Sequence, residues 1–272
     1  MSPASEGGAI RVRPGRAFSL ADIDPESTGG FESKDAAKKA LANDLDRLRD
    51  RQRLLYADGR HALLVVLQAM DTGGKDGTIR HVFSGFNPVA CVVTSFKVPS
   101  AEELAHDFLW RIHRAVPARG VIGVFNRSHY EDVLVVRVHD LVPREVWRER
   151  YRQINDFERI LSDNGVRIVK FFLHISKGEQ RRRLQSRLDD PDKNWKFSEG
   201  DVAERKLWDD YMKAYDEALQ KCSTEAAPWY VVPANVKWAR DAMVARVLRE
   251  TMDSLSLRHP RAPKKITKQK IR

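Results

Sequence analysis

Apolar positions along the chain follow two patterns. In "SKDAAKKALANDLDRLRDRQRLLYADG", Leu41, Leu45, Leu48 and Leu55 share one stripe with charges elsewhere, which predicts an amphipathic helix from about Ser33 that stops at Gly59. Elsewhere the apolar residues form short, near-continuous, β-branched runs: "ALLVVL" (62–67), "ACVVT" (90–94), "GVIGVF" (120–125), "VRIVKFFLHI" (166–175) and "WYVV" (229–232). Runs of that kind, rather than alternating ones, predict strands buried on both faces of a parallel sheet. Helical patterns separate them. "SAEELAHDFLWRIHRAV" (100–116) opens with Ser100 and Glu103 at capping-box spacing, and another helix runs from Pro143 to about Asp163 with Gly165 just beyond. This alternation predicts an α/β fold: five parallel strands flanked by helices, with ligands outside the strands' carboxyl ends. Residues 1–33, rich in Gly, Pro and Ser, read as a loosely ordered N-terminal arm. With no internal repeat and no interior linker, the rest reads as one domain over 34–257, followed by a basic tail over 258–272.

Composition narrows the class without naming a function. With 272 residues, 42% hydrophobic and 32% charged, the chain can bury a sizeable core and reads as an ordinary soluble protein. No apolar stretch approaches the ~18–20 residues of a spanning helix, and Gln68 interrupts the best one. The N-terminus lacks the apolar core of a secretory signal. Cys91 and Cys222 offer neither a disulfide framework nor metal spacing, so a reducing cytoplasm is expected. The formal charge of +10 suggests a nucleic-acid partner until it is located. Seven Lys/Arg and no acid fall in the last fifteen residues, the first sixteen add a net +2, and the body between carries about +1. A basic tail on a near-neutral body, with no recognisable reading motif, is expected to be a solvated extension, with a polyanion-attracting arm as the alternative.

Candidate chemistry begins in "QAMDTGGKDGTIR" (68–80), directly after the first strand. Gly73, Gly74 and Gly77 allow the backbone to aim N–H groups at an anion, and Lys75 offers a charge to phosphate oxygens. The common phosphate-loop pattern is broken, because Ala69 replaces its first glycine and Asp76 its Ser/Thr. Asp71 adds a carboxylate inside the loop, where it can ligate magnesium, orient an acceptor phosphate, or simply cap the turn. At the end of the third strand, "VFNRSHYED" sets Asn126, Arg127, Glu131 and Asp132 near the expected phosphates. Asn126 stands where a magnesium-holding aspartate is usual, and Arg127 can pair with a phosphate. After the fourth strand, Arg181, Arg182, Arg183 and Arg187 predict a mobile helical lid, about 176–200, closing on a transferred phosphoryl group. None of the eight histidines shows metal spacing, and no base-binding residue can be singled out.

Taken together, "LLVVLQAMDTGGKDGTIRHVFSGFNP", the span from "SFKVPSAEELAHDFLWRIHRAV" to "GVIGVFNRSHYEDVLVVRV", "RLDDPDKNWKFSEGD" and "STEAAPWYVVPANVKWARD" closely resemble the polyphosphate kinase 2 family, over roughly 34–255. The resemblance implies a thymidylate-kinase-like P-loop domain that moves phosphoryl groups between inorganic polyphosphate and nucleotides with magnesium, or manganese in its place. The family's loop reads G-x-D-x-x-G-K, matched by Asp71, Gly74 and Lys75 and not by Ala69. Many members carry F-D-R-S-x-Y where this chain has "FNRSHY", so Glu131 or Asp132 would have to supply the second metal ligand. "QAMD" with "FNRS" resembles the subgroup acting on both AMP and ADP, which implies AMP, ADP, ATP and polyphosphate as partners. It also implies a homo-oligomer, a dimer or tetramer. On this reading Asp71 is a working part of the loop. An ATP-dependent kinase on the same fold and a nucleic-acid binder using the tail are the rival expectations.

Overall fold

All five apolar runs are strands in the computed structural model of the protein, which describes residues 5–261. Among the described residues the sheet has seven strands: β1 (Ser5–Glu6), β2 (Ala9–Arg11), β3 (Ala62–Gln68), β4 (Cys91–Ser95), β5 (Ile122–Asn126), β6 (Val166–His174) and β7 (Trp229–Pro233). Their spatial order is β1-β2-β7-β6-β3-β5-β4. The five expected strands pair parallel, whereas β1 and β2 join antiparallel, so the sheet is mixed and larger than the five-stranded parallel one expected.

The extra strands come from the segment read as a loose arm. Ile10 pairs with Val231, the Val12 amide donates to the Trp229 carbonyl at 2.9 Å, and Ala9, Val12, Leu20, Ile23 and Phe31 are buried. The glycines that suggested disorder instead permit close approach. A Cβ on Gly8 would lie 2.5 Å from the Gly29 carbonyl oxygen, and one on Gly29 would lie 2.4 Å from Met243 Sδ. The described part of the basic tail ends at Arg261, and residues 262–272 lie outside the described residues.

β3, fully buried, runs between β5 and β6, with Leu67 opposite Asn126 on one side and Phe171 on the other. This register brings the chain leaving β3 beside the chain leaving β5. The run "ACVVT" departs from expectation: β4 is the edge strand, and Val92 and Val93 are 53% and 45% exposed because no strand among the described residues lies beyond them. The helix Lys34–Asp58 begins at Ser33, which accepts from the Ala36 amide, and ends at left-handed Gly59. The helix expected over 100–116 is two pieces, Ala101–Leu104 and Trp110–Ala115. Its capping box is present, but the Asp107 carboxylate accepts from the Leu109 amide and restarts the chain. Arg144–Asp163, Lys177–Leu188, Trp208–Cys222 and Lys237–Asp253 are the other long helices. No described helix is long and apolar enough to cross a membrane.

His174, buried at the end of β6, has an acid-stability consequence. Burial pushes its imidazole down to about 4, from 6.5. A depressed pKa in the folded state means that the unfolded chain binds the proton first. The stability from keeping His174 neutral is therefore present above pH 6.5 and lost as pH falls through about 4. The loss expected is on the order of 3 kcal/mol. Urea unfolding from pH 7 to 4 should show a flatter pH dependence for His174→Gln than for the natural protein. Parallel curves would exclude this contribution.

Candidate active site

β3 hands the chain through Ala69–Gly74 into the helix Lys75–Thr78, which widens into a π turn over Ile79–Phe83. The loop is tight enough to need its glycines. At Gly74, φ is 105°, and a Cβ there would meet Arg240 Nη1 at 2.1 Å; at Gly73 it would meet Ala69 Cβ at 2.4 Å. Thr72 adopts a left-handed φ of 63° without being glycine. Lys75 folds back and donates from Nζ to the Ala69 carbonyl at 3.0 Å, so its ammonium lies over the loop. Burial, and then the nearby charge of Arg127, push its pKa down to about 8. An anion in the loop would relieve both effects.

Arg127 also has a left-handed φ, 64°, and its guanidinium bridges the loop to the chain leaving β5. It donates from Nη2 to Asp71 Oδ1 at 2.8 Å and from Nη1 to Glu131 Oε2 at 3.1 Å. The charges of Glu131 and, against desolvation, Asp71 raise its pKa and hold it as a permanent cation. Beside it, Asn126 Nδ2 donates to Asp76 Oδ1 at 2.9 Å. A carboxylate does reach the end of β5, but it is carried by the loop at the position where a Ser/Thr was expected. Asp132, the other acid considered, turns away to Arg150 at 2.9 Å, and burial raises its pKa to about 6. Glu131 is therefore the acid on the loop's side.

The arginine segment divides into two roles. In the helix Lys177–Leu188, Arg183 is buried and is not a solvent-facing lid residue. It donates to the Thr72 carbonyl at 2.9 Å and to the Ala234 and Asn235 carbonyls at 2.6 and 3.1 Å, and pairs with Glu179 at 2.6 Å. Gln180 Nε2 adds a 3.2 Å bond to the Asp71 carbonyl. This helix is thus fastened to the loop, because backbone carbonyls at a tight turn need donors. Arg182 is exposed and paired with Glu179, Arg187 pairs with Asp201 at 3.6 Å, and Arg181 is exposed.

The geometry belongs with a known group of proteins. Residues 31–260 match the family model described as polyphosphate kinase 2. The chain belongs to the polyphosphate kinase 2 family. It is 57% identical over 251 residues to a protein of Meiothermus ruber named AMP/ADP-polyphosphate phosphotransferase, covering 92% of this chain and 94% of that one. It is 51% identical to an ADP-polyphosphate phosphotransferase of Rhodopseudomonas palustris, covering 92% and 91%. Its fold matches the crystal structure of polyphosphate kinase 2 from Arthrobacter aurescens with a TM-score of 0.89 at 50% identity, covering 92% of this chain and 90% of that one.

Two features of this polyphosphate kinase 2 chain escaped the sequence reading. Arg240 lies buried beneath Gly74 and Gly77 and is paired with Asp241 at 2.6 Å, while Asp241 also holds His81 at 2.7 Å. In sequence it is one cation on a helix, with no pattern to mark it. The second is a network under the chain that follows Arg127. Lys170, fully buried on β6, donates to Glu158 at 2.5 Å, to Tyr130 Oη at 2.7 Å and to the Cys222 carbonyl at 2.6 Å. The other oxygen of Glu158 takes Tyr130 at 3.0 Å and His129 at 3.2 Å. Burial pushes the Glu158 carboxyl up, but the Lys170 charge and His129 outweigh it and keep it ionised. Lys170 in the run "VRIVKFFLHI" was the only visible sign: a lysine inside a strand buried on both faces must have a partner.

Proposed function

We propose that the protein transfers phosphoryl groups from inorganic polyphosphate to AMP and ADP, giving ADP and ATP, reversibly. The Asp71–Arg127–Glu131 bridge across the mouth of the Gly-Gly-Lys loop carries this reading. It sets a carboxylate, a permanent cation and a phosphate-holding lysine at one point. The 57% identity to an AMP/ADP-polyphosphate phosphotransferase supports both acceptors. A strand–loop–helix of this form in the middle of the five parallel strands of the mixed sheet supports a P-loop kinase fold, with about 176–200 as its lid.

In the reaction, an oxygen of the nucleotide's terminal phosphate attacks the end phosphorus of polyphosphate in line. The bond from that phosphorus to the bridging oxygen breaks, and the shortened chain keeps the electron pair and the negative charge. Lys75 and Arg127 stabilise the charge spread over the transferred group, and no covalent enzyme intermediate is needed. The loop amides orient the phosphates. The oxygen chemistry at this mouth fits magnesium, which takes one or two carboxylates plus substrate phosphates. No cluster of three metal-ligating side chains forms a protein-only cage among the described residues. Asp71 and Glu131 are the residues that would hold the ion, or manganese in its place, and it would neutralise phosphate oxygens. A cytoplasmic homo-oligomer, a dimer or tetramer, is the accompanying expectation, open to light scattering.

A coupled ATP assay tests the proposal. Polyphosphate and magnesium should give ATP from ADP, and ADP then ATP from AMP, with EDTA abolishing both. Asp71→Asn should cost about 10²-fold or more in kcat. Nucleotide phosphorylation from ATP with none from polyphosphate would overturn the reading in favour of an ATP-dependent kinase.

A further inference from the structure

The Gly-Gly-Lys loop has a charged back wall that the proposed reaction does not use. Arg240 reaches it from the first turn of the helix Lys237–Asp253 and is buried. Its guanidinium fills the space that side chains at 74 and 77 would need. A Cβ on Gly74 would lie 2.1 Å from Nη1, and one on Gly77 would lie 3.3 Å from Nη2. One edge of the fork is paired: Nε donates to Asp241 Oδ1 at 2.8 Å, and Nη2 lies 2.6 Å from the same oxygen. Nη1 makes no hydrogen bond among the described residues. The Asp241 carboxylate is divided in turn. Its Oδ2 lies 2.7 Å from His81 Nδ1, and the Thr78 hydroxyl donates to Oδ1 at 3.4 Å. Thr78 and His81 belong to the turns that follow Lys75, so the pair also holds the chain leaving the loop.

A second buried cation stands at the same place. The Gly74 Cβ position lies 3.6 Å from Arg183 Nη1, which donates to the Thr72 carbonyl at 2.9 Å. Burial lowers the pKa of Arg183, and the charge of Arg240 lowers it further against the pull of Glu179. Both arginines pair with a carboxylate through Nε and turn Nη1 to the loop. The positive end of each pair therefore lies nearer the loop than the negative end, and an anion there meets a net attraction. The same anion relieves the repulsion between the two guanidinium groups.

We propose that Arg240 is a positioning residue of the phosphate loop: it props the turn from Gly74 to Gly77 and, with Asp241 as its counterweight, sets how strongly the loop attracts phosphate. The inference rests on the polyphosphate-kinase reading and deepens it. Pyrophosphate binding to the metal-free protein, read by isothermal titration calorimetry at low salt, tests it. Lys75→Ala is the control that locates the binding in the loop. Arg240→Met removes the cation and leaves Asp241 behind the loop, so Kd should rise about tenfold or more. Asp241→Asn keeps the shape and frees the cation, so binding should tighten about threefold or more. The double variant Arg240→Met/Asp241→Asn, neutral again, should fall between the two. A residue that only packs would weaken binding in both single variants and leave the double no better than either, and that result would overturn the inference. If Arg240→Met does not fold in a thermal melt, Asp241→Asn decides alone: tighter binding upholds the role, and unchanged or weaker binding removes it. If the natural protein binds no pyrophosphate, or Lys75→Ala binds it equally well, the loop is not the phosphate site, and the kinase reading falls together with this one.

Discussion

Lys75→Ala should lower polyphosphate-dependent ATP formation by about 10³-fold or more, with the fold unchanged. The lysine contributes little to stability. Its ammonium makes one hydrogen bond, to the Ala69 carbonyl, and burial together with the charge of Arg127 already disfavours its cation. Its charge is fully favoured only when an anion sits in the loop, and most of all when negative charge spreads over the transferred phosphoryl group. Lys75→Arg should recover little, because a planar fork cannot replace a compact ammonium folded over so tight a turn. The coupled assay, with a thermal melt to establish folding, measures both. Activity within a few-fold of the natural protein would remove Lys75 from the mechanism.

The largest stability effect is expected at Glu158. Replacing it with leucine strands the Lys170 ammonium in the core beside Tyr130 and the Cys222 carbonyl. Removing one partner of a buried ion pair costs about 3–5 kcal/mol. The double variant Glu158→Leu/Lys170→Met should regain most of that loss, since apolar groups of similar volume replace a pair whose desolvation largely offsets its attraction. Urea unfolding of the single and double variants decides it. Equal stabilities would mean that the ammonium finds another partner. The network also supports Tyr130, three residues beyond Arg127, so the single variant should lose activity before it loses its fold.

Local pattern foretold much of the fold and the local form of the Gly-Gly-Lys loop. The five apolar runs are strands because their β-branched, uninterrupted composition suits a sheet covered on both faces, and β3 is buried throughout. Ser33, Ser100 and Gly59 mark helix ends because capping chemistry acts within a few residues. The loop from Asp71 to Lys75 was visible for the same reason: its glycines, carboxylate and lysine lie within one turn. The N-terminal arm was misread because glycine signals a turn without saying whether the flanking residues find a sheet edge. Here β7 offered that edge to Ile10 and Arg11. The run at β4 looked as apolar as the others, yet only the strand order makes it an edge.

By itself, the sequence determined which segments alternate as strand and helix, and which loop gathers glycines, a carboxylate and a lysine within one turn. Both depend on neighbours within a few positions. The tertiary structure alone decided what each charge does. Arg183 fastens the loop while Arg181 faces solvent, though two positions separate them on one helix, because one side of that helix faces Thr72 and Ala234 and the other faces water. Asp132 pairs with Arg150 while Glu131 joins Arg127, and Arg240 comes to lie beneath Gly74 from far along the chain. Side-chain type sets what a charge can bind. Which partner it meets depends on contacts closed over long separations, and packing alone selects those.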